Sequence, residues 1–305
     1  MKTDGKLLGL GCAALILLAG VGIWERPLSG FYFNVVTPVQ LCLAGAQSSW
    51  ATIGGHRAHY DVLGPEAGPP VVLVQGLGGR AEEWLDLARF LDKAGYRVYL
   101  PDLLGYGGSD KPAEFSYSVP DEAAFVMSFL DAMGLKQVDL GGISMGGWIV
   151  QVVADDHPER VRRLMLFDSA GIHKAPTWNT RLFTPASPAE VEQLDALLYP
   201  HPPPLPGFVA RDVVRISDRN GWVIRRALAS MLAGRDPSDD LLPRLTMPVL
   251  IAWGAEDRIM PLDQGETMHR LVPQSEFAVF PGCGHLAPMQ CASQVGPEAV
   301  EFLKR

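Results

Sequence analysis

VDLGGISMGG, from Val138 to Gly147, decides the fold. A short apolar run ends in two glycines, Ser144 follows one residue later, and two further glycines open a helical stretch beginning near Met145. A serine flanked this way stands on a sharp strand-to-helix turn, because a β-carbon at the neighbouring positions would collide with the strand and the helix. The helix N-terminus favours negative charge beside it. Ser144 is therefore the candidate nucleophile, and the plainer alternative is a glycine-rich packing turn.

Outward from this junction, apolar runs of strand length recur. They are VVLVQ (Val71 to Gln75), RVYLP (Arg97 to Pro101), RLMLFD (Arg163 to Asp168), PVLIAWG (Pro248 to Gly254) and EFAVF (Glu276 to Phe280). Helical spacing fills most gaps between them, which predicts an α/β protein with a mostly parallel sheet and helices on both faces. Ala51 to Ile53 and His56 to Val62 read as an opening hairpin turning at Gly54-Gly55. One stretch breaks the alternation. Ala170 to Arg244 carries HPPPLPG at its middle and irregularly spaced apolar residues, so it reads as a helical cap inserted over residues 170–244 of a main domain spanning 49–305.

A chain of 305 residues with 48% apolar and 20% charged residues can bury a full core, which excludes wholesale disorder and fibrous classes. A net charge of −8 with no basic stripe argues against nucleic acid as a partner. The four cysteines form no CxxC pair, and their spacing fits neither a zinc site nor a dense disulfide framework. Cys283 and Cys291 flank His285, and there a disulfide or two buried thiols both fit.

The N-terminus has its own logic. Leu7 to Trp24 is 18 residues without a charge, about 27 Å of helix and close to a bilayer core. Residues 1–24 are accordingly expected to be an uncleaved single-pass membrane anchor, with a cleaved signal or a buried helix as alternatives. Lys2 and Lys6 precede the span, which places the catalytic domain on the extracytoplasmic side. Residues 25–48 form a membrane-proximal linker, whose apolar part from Phe31 to Ala46 either lies along the membrane or packs on the domain.

A serine hydroxyl needs a base within hydrogen-bond reach and a carboxylate that orients the base. Of the seven histidines, His285 alone follows the last strand on a glycine-rich loop, in PGCGHLAP. His56, His59, His157, His173, His201 and His269 lie in the hairpin, at a helix end, in the cap or on a surface helix. Asp257, after strand PVLIAWG, is the candidate acid, with Asp168 and Glu256 as rivals. The oxyanion donors are expected to be the backbone amides of Met145 and of Leu77, within Gly76-Leu77-Gly78-Gly79. That glycine run lacks the further glycine and acidic residue of a dinucleotide site.

Together these residues resemble the α/β-hydrolase fold superfamily from Trp50 to Arg305. QGLGG (Gln75 to Gly79), PDLLGYGGSDKP (Pro101 to Pro112), GISMGG around Ser144, and WGAEDRIMP followed by PGCGH stand in the family's order. One position departs from it: the family usually has His where this chain has Gln75, which with Gly76 is a candidate substrate-binding residue. The anchor, DSAGI (Asp168 to Ile172), SPAEVEQLDALLY (Ser187 to Tyr199) and GCGH resemble membrane-anchored monoacylglycerol-lipase-like serine hydrolases. WGAEDRIMP is also similar to the meta-cleavage C–C bond hydrolases. The resemblance implies two-step hydrolysis of an ester or lipid by Ser144, Asp257 and His285, without metal or cofactor. It also implies a cap that sets specificity. Trp178, Phe183, Tyr199 and Trp222 are the candidate aromatic wall for an acyl chain, with Leu197, Phe208, Leu228 and Met231 as aliphatic and aromatic neighbours.

Overall fold

The computed structural model of the protein describes residues 37–233 and 238–305. The anticipated anchor at Leu7 to Trp24 and the first part of the linker lie outside the described residues. Among the described residues, no helix is long and apolar enough to cross a membrane.

Eight strands form one sheet: β1 (Gln47–Ile53), β2 (His56–Leu63), β3 (Pro70–Val74), β4 (Arg97–Pro101), β5 (Val138–Ile143), β6 (Val161–Phe167), β7 (Val249–Gly254) and β8 (Glu276–Phe280). Their order is β1-β2-β4-β3-β5-β6-β7-β8. The first two pairings, β1 with β2 and β2 with β4, are antiparallel and the rest are parallel. This is the α/β architecture with a mostly parallel sheet that the alternation of runs anticipates. β1 begins at Gln47.

Side chains alternate across each strand, so the central strands feed two cores. Val72 and Val74 of β3, with Leu164 and Leu166 of β6 and Val249 and Ile251 of β7, face one core. There they meet helices α3 (Val119–Ala132), α4 (Met145–Asp156) and α7 (Leu262–Leu271). Val71, Leu73, Met165, Phe167, Leu250 and Ala252 face the other, with α2 (Leu85–Lys93) and α8 (Ala292–Lys304). Because both faces are covered, the central strands read as unbroken apolar runs and not as an apolar/polar alternation.

The short helix α1 (Thr37–Leu43) buries Leu41 in that second core. Of the two expectations for this apolar segment, packing on the domain is therefore the one realised from residue 37 onward. The cap lies between β6 and β7 and contains α5 (Pro188–Leu198) and the long α6 (Gly207–Leu232). Ser187 starts α5 by accepting the Glu190 amide, and Pro188 takes the first helical position.

Asp102, at the end of β4, knits the turns beside the site. Its carboxylate accepts from Ala81 N, Gly108 N and His59 Nδ1, each at 2.7 Å. Burial alone would push this acid up, but the His59 bond and the backbone amides outweigh it and hold Asp102 below its ordinary value. His59 is thus a structural histidine.

Candidate active site

Ser144 stands between β5 and α4 with φ 53° and ψ −122°, a region that L-residues enter only where the surroundings enforce it, at a cost of about 1–3 kcal/mol. The enforcement is visible on both sides. Ser144 N donates to Phe167 O at 3.1 Å and Ser144 O accepts from Ala170 N at 3.0 Å, tying the turn to the next strand end. A β-carbon at Gly142 would lie 2.3 Å from Gly146 O, and one at Gly146 would lie 2.3 Å from Val74 O. The glycines are therefore steric requirements of the turn.

His285 reaches back from the loop after β8, and its Nε2 lies 3.0 Å from Ser144 Oγ. Its Nδ1 lies 2.8 Å from Asp257 Oδ2. The other oxygen, Asp257 Oδ1, accepts the amides of Ile259 and Met260, each at 2.8 Å, which fixes the carboxylate so that one oxygen faces the imidazole. Ser144 is 8% exposed and His285 2%. The relay thus lies out of bulk solvent, with the serine opening into cavities.

Asp168, the rival acid, does not meet the imidazole in this way. Its two oxygens accept Gly254 N at 2.7 Å and Ala287 N at 3.0 Å. Burial first, then the neighbouring charge of Asp257, push Asp168 well above the usual carboxylate range. Glu256 turns its backbone amide to Cys283 O at 2.9 Å, and its side chain takes no place in the relay.

Met145 is the first residue of α4, so its N–H has no acceptor within the helix. The Gly76–Gly79 loop passes against Ser144, since a β-carbon at Gly76 would lie 3.2 Å from Ser144 Cβ. Leu77 borders the same space. Gln75, anticipated as a substrate contact, is a correction. It is fully buried, and its amide donates to Pro101 O at 2.7 Å and accepts from Leu103 N at 3.0 Å. It braces the Gly76–Gly79 loop from behind and borders neither of the two cavities at Ser144.

Two cavities meet at Ser144, of about 440 Å³ and 240 Å³. Trp178 and Phe183 border the larger one, as do Leu228 and Met231. Trp178 also donates Nε1–H to Ile259 O at 2.9 Å, joining the cap to the acid loop. Phe183 borders both cavities, and Gly76 the smaller. Trp222 and Tyr199 border neither, and nor do Leu197 and Phe208. The helical period explains Trp222: Gly221, Ile224 and Leu228 share the cavity face of α6, while Trp222 falls on the adjacent face. There Arg226 stacks over it at 5.1 Å and Tyr117 meets it edge-on at 5.6 Å. Tyr199 follows the last turn of α5 in extended backbone, half-buried beside the cavity without entering it.

Glu83 also borders the smaller cavity, and no motif in the sequence singles it out. The pairing of Cys283 with Cys291 is present and spans the His285 loop.

The model of the alpha/beta hydrolase fold family matches residues 69–190 and 217–290. Lipase 1 of Psychrobacter immobilis is 26% identical over 262 residues, covering 81% of each chain. A 2-hydroxy-6-oxononadienedioate/2-hydroxy-6-oxononatrienedioate hydrolase of Paraburkholderia phymatum is 31% identical, over 81% of this chain and 91% of that one. Among solved structures, a membrane phospholipase A described as a bacterial virulence factor superimposes with a TM-score of 0.83 at 27% identity, covering 98% of both chains. A serine on the strand-to-helix turn, a histidine after the last strand and a family match across both halves of the sheet lead to one conclusion: this chain belongs to the alpha/beta hydrolase fold family.

Proposed function

We propose that the protein is a serine hydrolase that cleaves carboxylic esters of apolar acyl groups, with lipid esters as its substrates, through an acyl-enzyme. The observation that carries this reading is the unbroken line Asp257–His285–Ser144, at 2.8 Å and 3.0 Å, opening onto an apolar cavity. In this mechanism Nε2 of His285 takes the proton of Ser144 as Oγ attacks the acyl carbonyl, and Asp257 holds the tautomer and balances the imidazolium. The developing oxyanion meets the Met145 and Leu77 amides, each donor contributing roughly 3–4 kcal/mol to the transition state. His285 returns the proton to the alcohol, and water then repeats the sequence on the acyl-enzyme. The lipase and phospholipase names of the relatives support an ester as the bond cleaved.

A second reading is C–C bond hydrolysis, favoured by the 31% identity to the nonadienedioate hydrolase. Such a substrate carries two carboxylates. Glu83 borders the smaller cavity, which no Lys or Arg among the described residues lines, and the Lys174 that borders the larger one is paired with Asp263, which supports a neutral ester instead. Turnover of a homologous series of acyl esters and of a vinylogous diketone, by wild type and Ser144→Ala, separates the readings. Ester turnover abolished in the variant supports the proposal. Turnover of the diketone alone replaces it with the C–C reading, and Ser144-independent turnover removes both.

The same reading places the enzyme at a membrane through Leu7 to Trp24, with the hydrolytic domain on the extracytoplasmic side. The Cys283–Cys291 bond supports this, because such bonds persist in oxidising compartments. Release of the full-length protein from membranes by alkaline carbonate would overturn the anchor.

A further inference from the structure

The two cavities differ in which catalytic groups they meet. Ser144 borders both, whereas His285 borders only the smaller. In the serine-hydrolase reading, on which this inference rests, His285 hands its proton to the leaving alcohol, so the alcohol half of the ester lies in the smaller cavity and the acyl half in the larger. Most side chains around the larger cavity are apolar, but besides Ser144 three are polar: His173, Lys174 and Gln264. Two of these open to solvent. His173 and Lys174 are exposed, and Lys174 is paired with Asp263.

Gln264 is different. It is 6% exposed and borders the larger cavity, yet among the described residues its side-chain amide has no hydrogen-bond partner. The other two buried glutamines spend their amides on the protein: Gln75 on Pro101 O and Leu103 N, and Gln151 on Ser169 Oγ and Ala170 O at 2.8 Å and 3.0 Å. The place of Gln264 also removes the usual local task of a glutamine. It is the third residue of α7, where such a side chain commonly reaches back to the backbone N–H of the residue capping the helix. That residue is Pro261, which has no N–H. The rest of the buried face of α7 is Met268 and Gly265, where a β-carbon would lie 2.7 Å from the Trp253 ring. The Gln264 amide is therefore an unspent polar group on an apolar wall.

We propose that Gln264 is a specificity-determining residue that binds a hydroxyl on the acyl chain, so that the preferred acyl group is an otherwise apolar chain hydroxylated at one position. The amide both donates and accepts, as does a hydroxyl, so each supplies what the other lacks. A carboxylate on the acyl chain fits less well, because the amide carries no charge and Lys174 is engaged by Asp263. A plain chain covers the amide and leaves it unpaired, which is how a site built for a hydroxyl rejects an analogue without one. A hydroxyl at another carbon meets the apolar wall and is itself left unpaired.

The test uses ethyl decanoate and ethyl decanoates hydroxylated once, at positions stepped from the third carbon to the tenth, with wild type, Gln264→Met, Gln264→Leu and Ser144→Ala. In wild type, one position should exceed the plain ester severalfold in kcat/KM, and the others should fall about tenfold below it, the cost of a buried hydroxyl without a partner. Gln264→Met keeps the length of the side chain and removes its amide. It should lower the ratio of the favoured isomer to the plain ester about tenfold or more, with the plain ester itself turned over faster. Gln264→Leu repeats the ratio test should Gln264→Met not fold. If no hydroxylated ester exceeds the plain one in wild type, or if the ratio is unchanged in the variants, the role of Gln264 is overturned and ester hydrolysis stands. Absence of Ser144-dependent turnover of every ester overturns both.

Discussion

The Asp168 carboxylate accepts the backbone amide of Ala287 at 3.0 Å, two residues beyond His285. Its other oxygen accepts Gly254 N at 2.7 Å, three residues before Asp257. One buried acid at the end of β6 therefore clasps the loops that present the base and its partner. Asp168→Asn turns an NH₂ toward one of those N–H groups, losing a bond and opposing two donors. The expected outcome is a kcat lowered about tenfold or more with KM much less affected, since two loops shift by fractions of an ångström. Asp257→Asn, which leaves the imidazole in the wrong tautomer, should cost on the order of 10⁴ in kcat. Equal losses in the two variants would place Asp168 in the relay itself, and a wild-type kcat in Asp168→Asn would remove its positioning role.

Cys283 and Cys291 close the loop that carries His285, two residues after Cys283. Their sequence separation of 8 residues corresponds to roughly 2.5 kcal/mol of loop-closure entropy removed from the unfolded chain. The cap adds further ties, because Gln290 Nε2 and His285 N both donate to Leu198 O, at 2.9 Å and 3.2 Å. Cys283→Ala/Cys291→Ala should therefore lower Tm by several degrees and kcat severalfold, and dithiothreitol should do the same to wild type alone. Sensitivity of the double variant to dithiothreitol would show that the effect lies elsewhere.

Much of this site is legible in the sequence because its parts are local signals. Ser144 is announced by glycines that no other residue can replace, and Asp257 and His285 by their places after β7 and β8. The sheet is legible because strands buried on both faces are unbroken apolar runs. What the sequence withholds depends on direction. Trp222 and Ile224 are both apolar positions of α6, yet only Ile224 borders a cavity, and the angle between them follows from where the helix docks. Gln75 is next to the oxyanion glycine, but its side chain turns to Pro101 and Leu103 behind the loop. Glu83 carries no motif, and its character comes from the wall it joins.

Glu83 gives the reaction an alkaline limit. Burial, the first cause, and the charges of Glu82 and Asp102 raise it to about 7, against the amide and charge of Arg80. Tyr199 also lies close enough to feel its charge. Below that value the carboxyl is neutral; above it, a negative charge sits on the loop that must stabilise an oxyanion. With an ethyl ester, kcat/KM should fall between about pH 7 and about pH 9, and Glu83→Gln should flatten that fall. A fall that persists unchanged in the variant assigns the limit to another group.

Glu122 is a buried acid with no function in the relay and neither carboxyl oxygen hydrogen-bonded. Burial first, and Asp121 second, push it well above the ordinary carboxylate value. A raised folded value means that the native state holds a proton which the unfolded chain gives up near pH 4. The stability linked to Glu122 is thus fully present below that unfolded value and is lost as pH rises toward the folded one. Replacing an unpaired buried acid by an apolar side chain of similar shape, Glu122→Met, should add about 1–3 kcal/mol near neutrality. That corresponds to a Tm higher by several degrees at about pH 8 and by less at about pH 5. Asp61, raised to about 6, titrates over the same range, so the reading is the difference between wild type and variant and not the wild-type slope. A Tm difference independent of pH would mean that Glu122 acts through packing alone, and a destabilised Met variant would mean that the acid has a partner in solution.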